Sequence, residues 1–204
     1  MENLDAALND VRKAYRLLYD YQRRMLNLMK FIGGKYRRIY DGGHVKFGNS
    51  TPRNGGGNLN LMAWDWLSMY YYEFHFQPVQ ASGQTVHFSV FLMSDTGYFE
   101  ARKDKNIHQK TVSEYIDVEK SESKLIFVAG QNIWEGWDLN WREVNFTTVT
   151  KGEKIDGDKI MAFHHYDLKL FADEDSATEC LRHFTEYCNS KGITLPLHES
   201  NIPK

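Results

Sequence analysis

"MYYYEFHFQPVQASGQTVHFSVFLM", residues 69–93, decides the fold. Successive side chains of a strand point to opposite faces, so every second residue shares one. Tyr70, Tyr72, Phe74 and Phe76 fall on one face, and Met69, Tyr71, Glu73 and His75 on the other. The period returns in Thr85–Met93, where Val86, Phe88, Val90 and Leu92 oppose Thr85, His87, Ser89 and Phe91. The intervening QPVQASGQ supplies a turn, so the two runs predict an antiparallel pair.

Towards the C-terminus, Ser94–Gly97 is a further turn, and Lys124–Ala129, Arg142–Val149 and Asp158–Phe171 predict more strands. Gly152 and Gly157 mark a hairpin between the last two. The polar stretch Arg102–Ser123 has no clear period. A helix opens near Asp173, with Glu174 and Asp175 suiting the positive end of its dipole. Ala177, Cys180, Leu181, Phe184 and Cys188 form its apolar face; Gly192 ends it and Pro196 blocks its resumption.

Towards the N-terminus, Leu4, Leu8, Val11, Tyr15, Leu18, Gln22, Met25, Met29 and Ile32 follow a spacing of four and three. That is the seam of a long helix, sustained for four heptads, with Asn3 as cap and Gly33 and Gly34 as the stop. At ~1.5 Å per residue such a helix is ~45 Å long. Its length leaves an overhang for a second subunit, and a homodimer through Leu4–Ile32 is one expectation. Beyond it, Tyr36–Tyr40 and His44–Phe47 predict two short strands around the turn Asp41–Gly43. The expected fold is α+β: a long N-terminal helix, an antiparallel sheet of five to six strands in a meander and a C-terminal helix, with the helices on one face. It is expected as a single domain over 1–204, with the helix at 1–33, a basic Gly-rich hairpin and loop at 34–60, the sheet at 61–171 and the last helix at 172–192.

Composition narrows the class. With 42% hydrophobic and 14% aromatic residues the chain is rich enough in apolar side chains to fold. No apolar run approaches the ~20 residues of a membrane-spanning helix. The acidic MENLDAALND does not resemble a secretory signal. Cys180 and Cys188, ~12 Å apart along one helix, cannot form a disulfide there. These features predict a cytoplasmic protein.

Charge is unevenly spread. Residues 11–53 hold eleven Lys and Arg against Asp20 and Asp41, a net +9 in a chain of net −2. Lys35, Arg37, Arg38, Tyr40, His44, Lys46 and Arg53 combine cations with aromatic rings in a Gly-rich setting. That pattern suits an anionic partner, either nucleic acid or an acidic protein surface. The leading expectation is therefore a non-enzymatic binding protein without cofactor or metal. An alternative is a metal-dependent phosphodiester hydrolase using Glu73, His75, Asp167 and Lys169, with His87 and His165 near them. The same alternation also arises on a solvated outer face of a sheet. Glu122-Ser123-Lys124 and Asp167-Leu168-Lys169 match only the shortest form of a nuclease metal motif. Phosphate-loop, dinucleotide, zinc and nucleophile-elbow motifs are absent. All five tryptophans lie between Trp64 and Trp141, and Trp134, Trp137 and Trp141 suit packing or an interface.

Overall fold

The computed structural model describes residues 4–45, 71–81, 83–97, 115–132 and 149–198. Helix α1 (Leu4–Lys35) leads into β1 (Tyr40–Val45), β2 (Tyr71–Ala81), β3 (Gln84–Met93), β4 (Lys124–Gln131), β5 (Lys151–Asp156), β6 (Lys159–Asp167) and helix α2 (Glu174–Ser190). Every strand pair is antiparallel, in the order β1-β2-β3-β4-β6-β5. The fold is α+β, and the meander exchanges only its last two positions.

Alternation builds the core as expected. Phe74 pairs with Val90, Val90 with Phe127 and Phe127 with His164, so one face carries Phe74, Phe76, Phe88, Val90, Leu92, Leu125, Phe127 and Tyr166. Both helices pack there. Helix α1 contributes Met25, Met29 and Ile32, and α2 contributes Cys180, Leu181, Phe184 and Cys188. The two cysteines are free and buried. Asp173 caps α2 by accepting from the Ser176 N–H at 2.8 Å. Tyr36 joins the helices, its hydroxyl donating to Leu181 O at 2.9 Å. The backbone N–H of His198 then donates to Lys35 O at 2.8 Å.

The opposite face is not a solvated surface. Tyr71, Phe91, Met93, Ile126, Val128, Met161 and Phe163 are all buried on it. The strand pattern predicts which residues share this face, but the burial of both faces is a tertiary property.

Four local expectations are corrected. Helix α1 continues through Gly33 and Gly34 to Lys35. At Gly33 a Cβ would meet the Phe76 ring at 2.8 Å and Arg38 O at 3.0 Å, so this glycine admits the helix against β2. The helix stops instead through bonds from Arg37 N to Gly34 O and from Arg38 N to Gly33 O, with Arg37 at φ 48° in the left-handed position usually held by glycine. Tyr36–Ile39 are therefore the exit of the helix, and Asp41–Gly43 lie inside β1. The strand paired with β6 is Lys151–Asp156, with Gly152 inside it and Gly157 (φ 62°) in the turn. Its sequence, KGEKID, has no apolar period because it is a charged edge strand. Finally, β6 ends at Asp167, and Leu168–Phe171 form a 3-10 turn. The expected strand Arg142–Val149, apart from Val149, which is in no strand, lies outside the described residues, as do all five tryptophans, Asn3 and residues 48–58.

Candidate binding surface

The described cations of the segment expected as a basic hairpin separate into different roles. Arg38 is internal, with only 7% of its surface exposed. Its guanidinium donates to Val86 O at 2.8 Å and to Gln77 O at 3.1 Å, tying the helix exit to β2 and β3. Burial lowers its pKa, and burial together with the Arg38 charge lowers that of His87. Lys35 is spoken for by Glu174 at 3.2 Å and by the Phe31 ring at 5.2 Å. Tyr40 is half exposed, its hydroxyl 3.4 Å from that of Tyr72. Arg37 is exposed. The backbone of His44 pairs opposite Glu73; Lys46 and Arg53 lie outside the described residues. Lys35, Arg37 and Arg38 thus do not form one cationic surface.

The expected sheet cluster also divides. Glu73 and His75 meet at 3.1 Å, and the other ring nitrogen of His75 lies 2.8 Å from Ser89 Oγ. This Glu73–His75–Ser89 relay is closed in, with exposures of 1%, 7% and 2%. Ser89 was not part of the expected set, although register places it opposite His75. His165 shares the row Glu73–Phe91–Ile126–His165, three strand spacings or ~14 Å away. Its Nε2 is buried without a hydrogen-bond partner among the described residues, and burial, with Lys124 and His164 nearby, pushes its pKa down to about 4. Asp167 and Lys169 pair with each other at 3.1 Å at the far end of β6, where Lys169 has left the strand. Glu73 and His75 are therefore brought together, whereas Asp167 and Lys169 stand apart from them. Among the described residues no three His, Cys, Asp or Glu side chains converge as a metal ion would require.

Among the described residues, α1 carries a long run of exposed apolar side chains. Its heptad seam enters the core only at Met25. From Leu4 to Arg24 every residue is exposed except Leu18 and Tyr21, which are partly buried. Leu4 (70% exposed), Leu8, Val11 and Tyr15 (71%) continue the line of Met25, Met29 and Ile32 beyond the body. Tyr21 marks the root of this arm, its hydroxyl 3.0 Å from Ser94 Oγ. A groove of about 290 Å³, floored by Leu28, Phe31, Phe171 and Ala177, lies beside that root. The arm is itself charged in two zones: Asp5 and Asp10 at one end, then Arg12, Lys13, Arg16, Arg23 and Arg24 with Asp20 among them. Lys13–Asp10 and Arg23–Asp20 are exposed pairs along the helix and hold little energy. The sequence contained this arm as an overhang, but not the point at which it leaves the body.

Among the described residues no helix is long and apolar enough to cross a membrane. No curated protein and no solved structure matches the chain. One family profile matches residues 1–196, nearly the whole length, and the chain belongs to the PM0109 family.

Proposed function

We propose that this is a non-enzymatic interaction protein that engages its partner through the free arm of α1. The observation that carries this reading is the seam of Leu4, Leu8, Val11 and Tyr15, in line with the core yet uncovered. Isolated helices of this length are marginal in water, because nucleation is costly and propensity alone supplies little. Ala, Leu, Lys and Arg favour the helix here, but Tyr15, Tyr19 and Tyr21 do not. A helix that keeps an apolar stripe in solvent is completed by another surface. The cations Arg12, Arg16 and Arg24 along it favour a partner with acidic groups beside an apolar stripe, the acidic-protein form of the anionic-partner expectation. Nucleic acid is the weaker occupant, since Arg38 and Lys35 are engaged internally.

The hydrolase reading has less support. Glu73, His75 and Ser89 are closed in, and Asp167 and Lys169 lie at a distance from them.

Hydrogen exchange on the full chain tests the arm. At dilutions where the chain is a monomer, amides of residues 4–20 should exchange far faster than those of α2. Arm amides as protected as α2 in a monomer would mean that the arm docks on its own body, and the reading would fail.

A further inference from the structure

We infer that the surface completing the arm is the arm of a second copy, laid antiparallel. The inference rests on the arm being the contact element, and three observations select this occupant. The first is the seam itself. Spacing of four and three is the repeat by which two helices interlock, whereas a helix on a sheet needs only a broad apolar face. The repeat runs unbroken from Leu4 into Met25, through a region where the chain's own sheet does not cover it.

The second is length. In an antiparallel pair, one helix's d layer faces the other's a layer. Taking Leu8 as a and Val11 as d, one register pairs Leu4 with Gln22, Leu8 with Leu18 and Val11 with Tyr15, each across the interface and each twice. The twofold axis passes at Lys13. This register uses the exposed layers together with the partly buried Leu18, and stops one layer short of Met25, the first buried residue of the seam. Ala7 and Ala14, flanking the seam, leave room for close approach. A parallel pair would bring both bodies to the same end of helices only ~8–10 Å apart. Met25 is covered by its own body on the seam side, so a parallel partner would run into it.

The third is the pairing of helix dipoles, which oppose favourably in the antiparallel arrangement and not in the parallel one. Gln22, the polar residue of the seam, lies at the outermost layer, where its amide reaches water.

Light scattering and sedimentation equilibrium on the full chain test the inference. A dimer is expected at tens of micromolar, with Val11→Asp weakening it at least ~100-fold by placing a charge in a central layer. Because that variant also perturbs the helix, exposed positions supply the second arm of the test. Arg12 flanks the seam and meets the partner's Arg12 at the centre of this register, so mixing the parent with Arg12→Glu chains should favour the mixed dimer ~3-fold or more. In a parallel pair Arg12 faces Ala7 and no preference arises, so the absence of a preference would overturn the antiparallel arrangement. Leu8→Cys chains that crosslink readily to each other would overturn the antiparallel arrangement, which sets the two Leu8 positions ~15 Å apart. A monomer at these concentrations would overturn the self-pairing altogether. Fast exchange in that monomer's arm would leave the arm as a contact element for another protein; slow exchange would remove both proposals.

Discussion

Replacing Arg38 with methionine separates a structural cation from a docking one. The side chain is nearly sealed and donates two hydrogen bonds to main-chain carbonyls, Val86 O in the interior and Gln77 O at its edge. Bonds from a charged donor contribute ~1.5–3 kcal/mol each, with the inner one nearer the top of that range. Methionine keeps most of the packing and removes the cost of burying a charge, which offsets part of the loss. The expected net loss is about 2–4 kcal/mol, against a total stability of ~5–15 kcal/mol. For a chain of this size each kcal/mol moves the midpoint by ~2–4 °C, so Tm should fall by about 5–15 °C. Arg37→Met, one residue earlier but exposed, should stay within ~0.5 kcal/mol of the parent. Arg38→Lys should fall between them, since both bonds leave one terminal guanidinium nitrogen that an ammonium on a shorter stem replaces only in part. Thermal and urea unfolding followed by circular dichroism supply the comparison. Equal midpoints for Arg38→Met and Arg37→Met would refute the strut, and would return Arg38 to the list of free cations.

Gly33→Ala should destabilise, although helix propensity favours alanine there by ~1 kcal/mol. The reason is the Phe76 ring and Arg38 O that a Cβ at Gly33 would meet, and a lowered urea midpoint would show it. Stability should also fall as pH drops from about 6.5 towards 4, because His165 folds as the neutral ring with its pKa pushed down to about 4. The unfolded chain binds that proton near pH 6.5, so the contribution is complete above 6.5 and disappears through the folded value. The span corresponds to roughly 3 kcal/mol, and His165→Asn should flatten the profile of urea midpoints. His164 and His87, lowered in the same direction, add slope of the same sign. Asp173→Ala should fray the start of α2, and acidification should do the same to the parent: the cap holds the Asp173 pKa below its ordinary value, so its contribution is lost as pH falls below about 4. Exchange at Ser176 N–H reports it.

Helix α2 was legible position by position: Asp173 opens it, Gly192 follows it, and the five residues of its expected face are the five it buries. The pair β2–β3 was equally plain, because aromatic and β-branched residues alternate where one face meets a core. Local pattern failed where a long-range contact overrode it. Gly33 looks like a helix stop until Phe76 is seen against it. Edge strand β5 has no apolar period because it has little to bury. The cations of the hairpin could not be sorted by composition, since only tertiary structure shows that Arg38 reaches Val86 while Arg37 reaches water. Ser89 was missed for a related reason: alternation gives the face of each strand, but only register gives the neighbour across it.

The root of α1 is held by residues from the far end of the chain, through Tyr36 on Leu181, Lys35 on Glu174 and the His198 N–H on Lys35 O. During synthesis, α1 is finished more than a hundred residues before α2 exists. At ~5–20 residues per second that interval is roughly ten to thirty seconds. For all of it Met25, Met29 and Ile32 lack half of their socket. Nascent chains on neighbouring ribosomes thus expose the same sticky stripe together, and whatever holds those stripes apart, or pairs them early, governs the yield of finished protein.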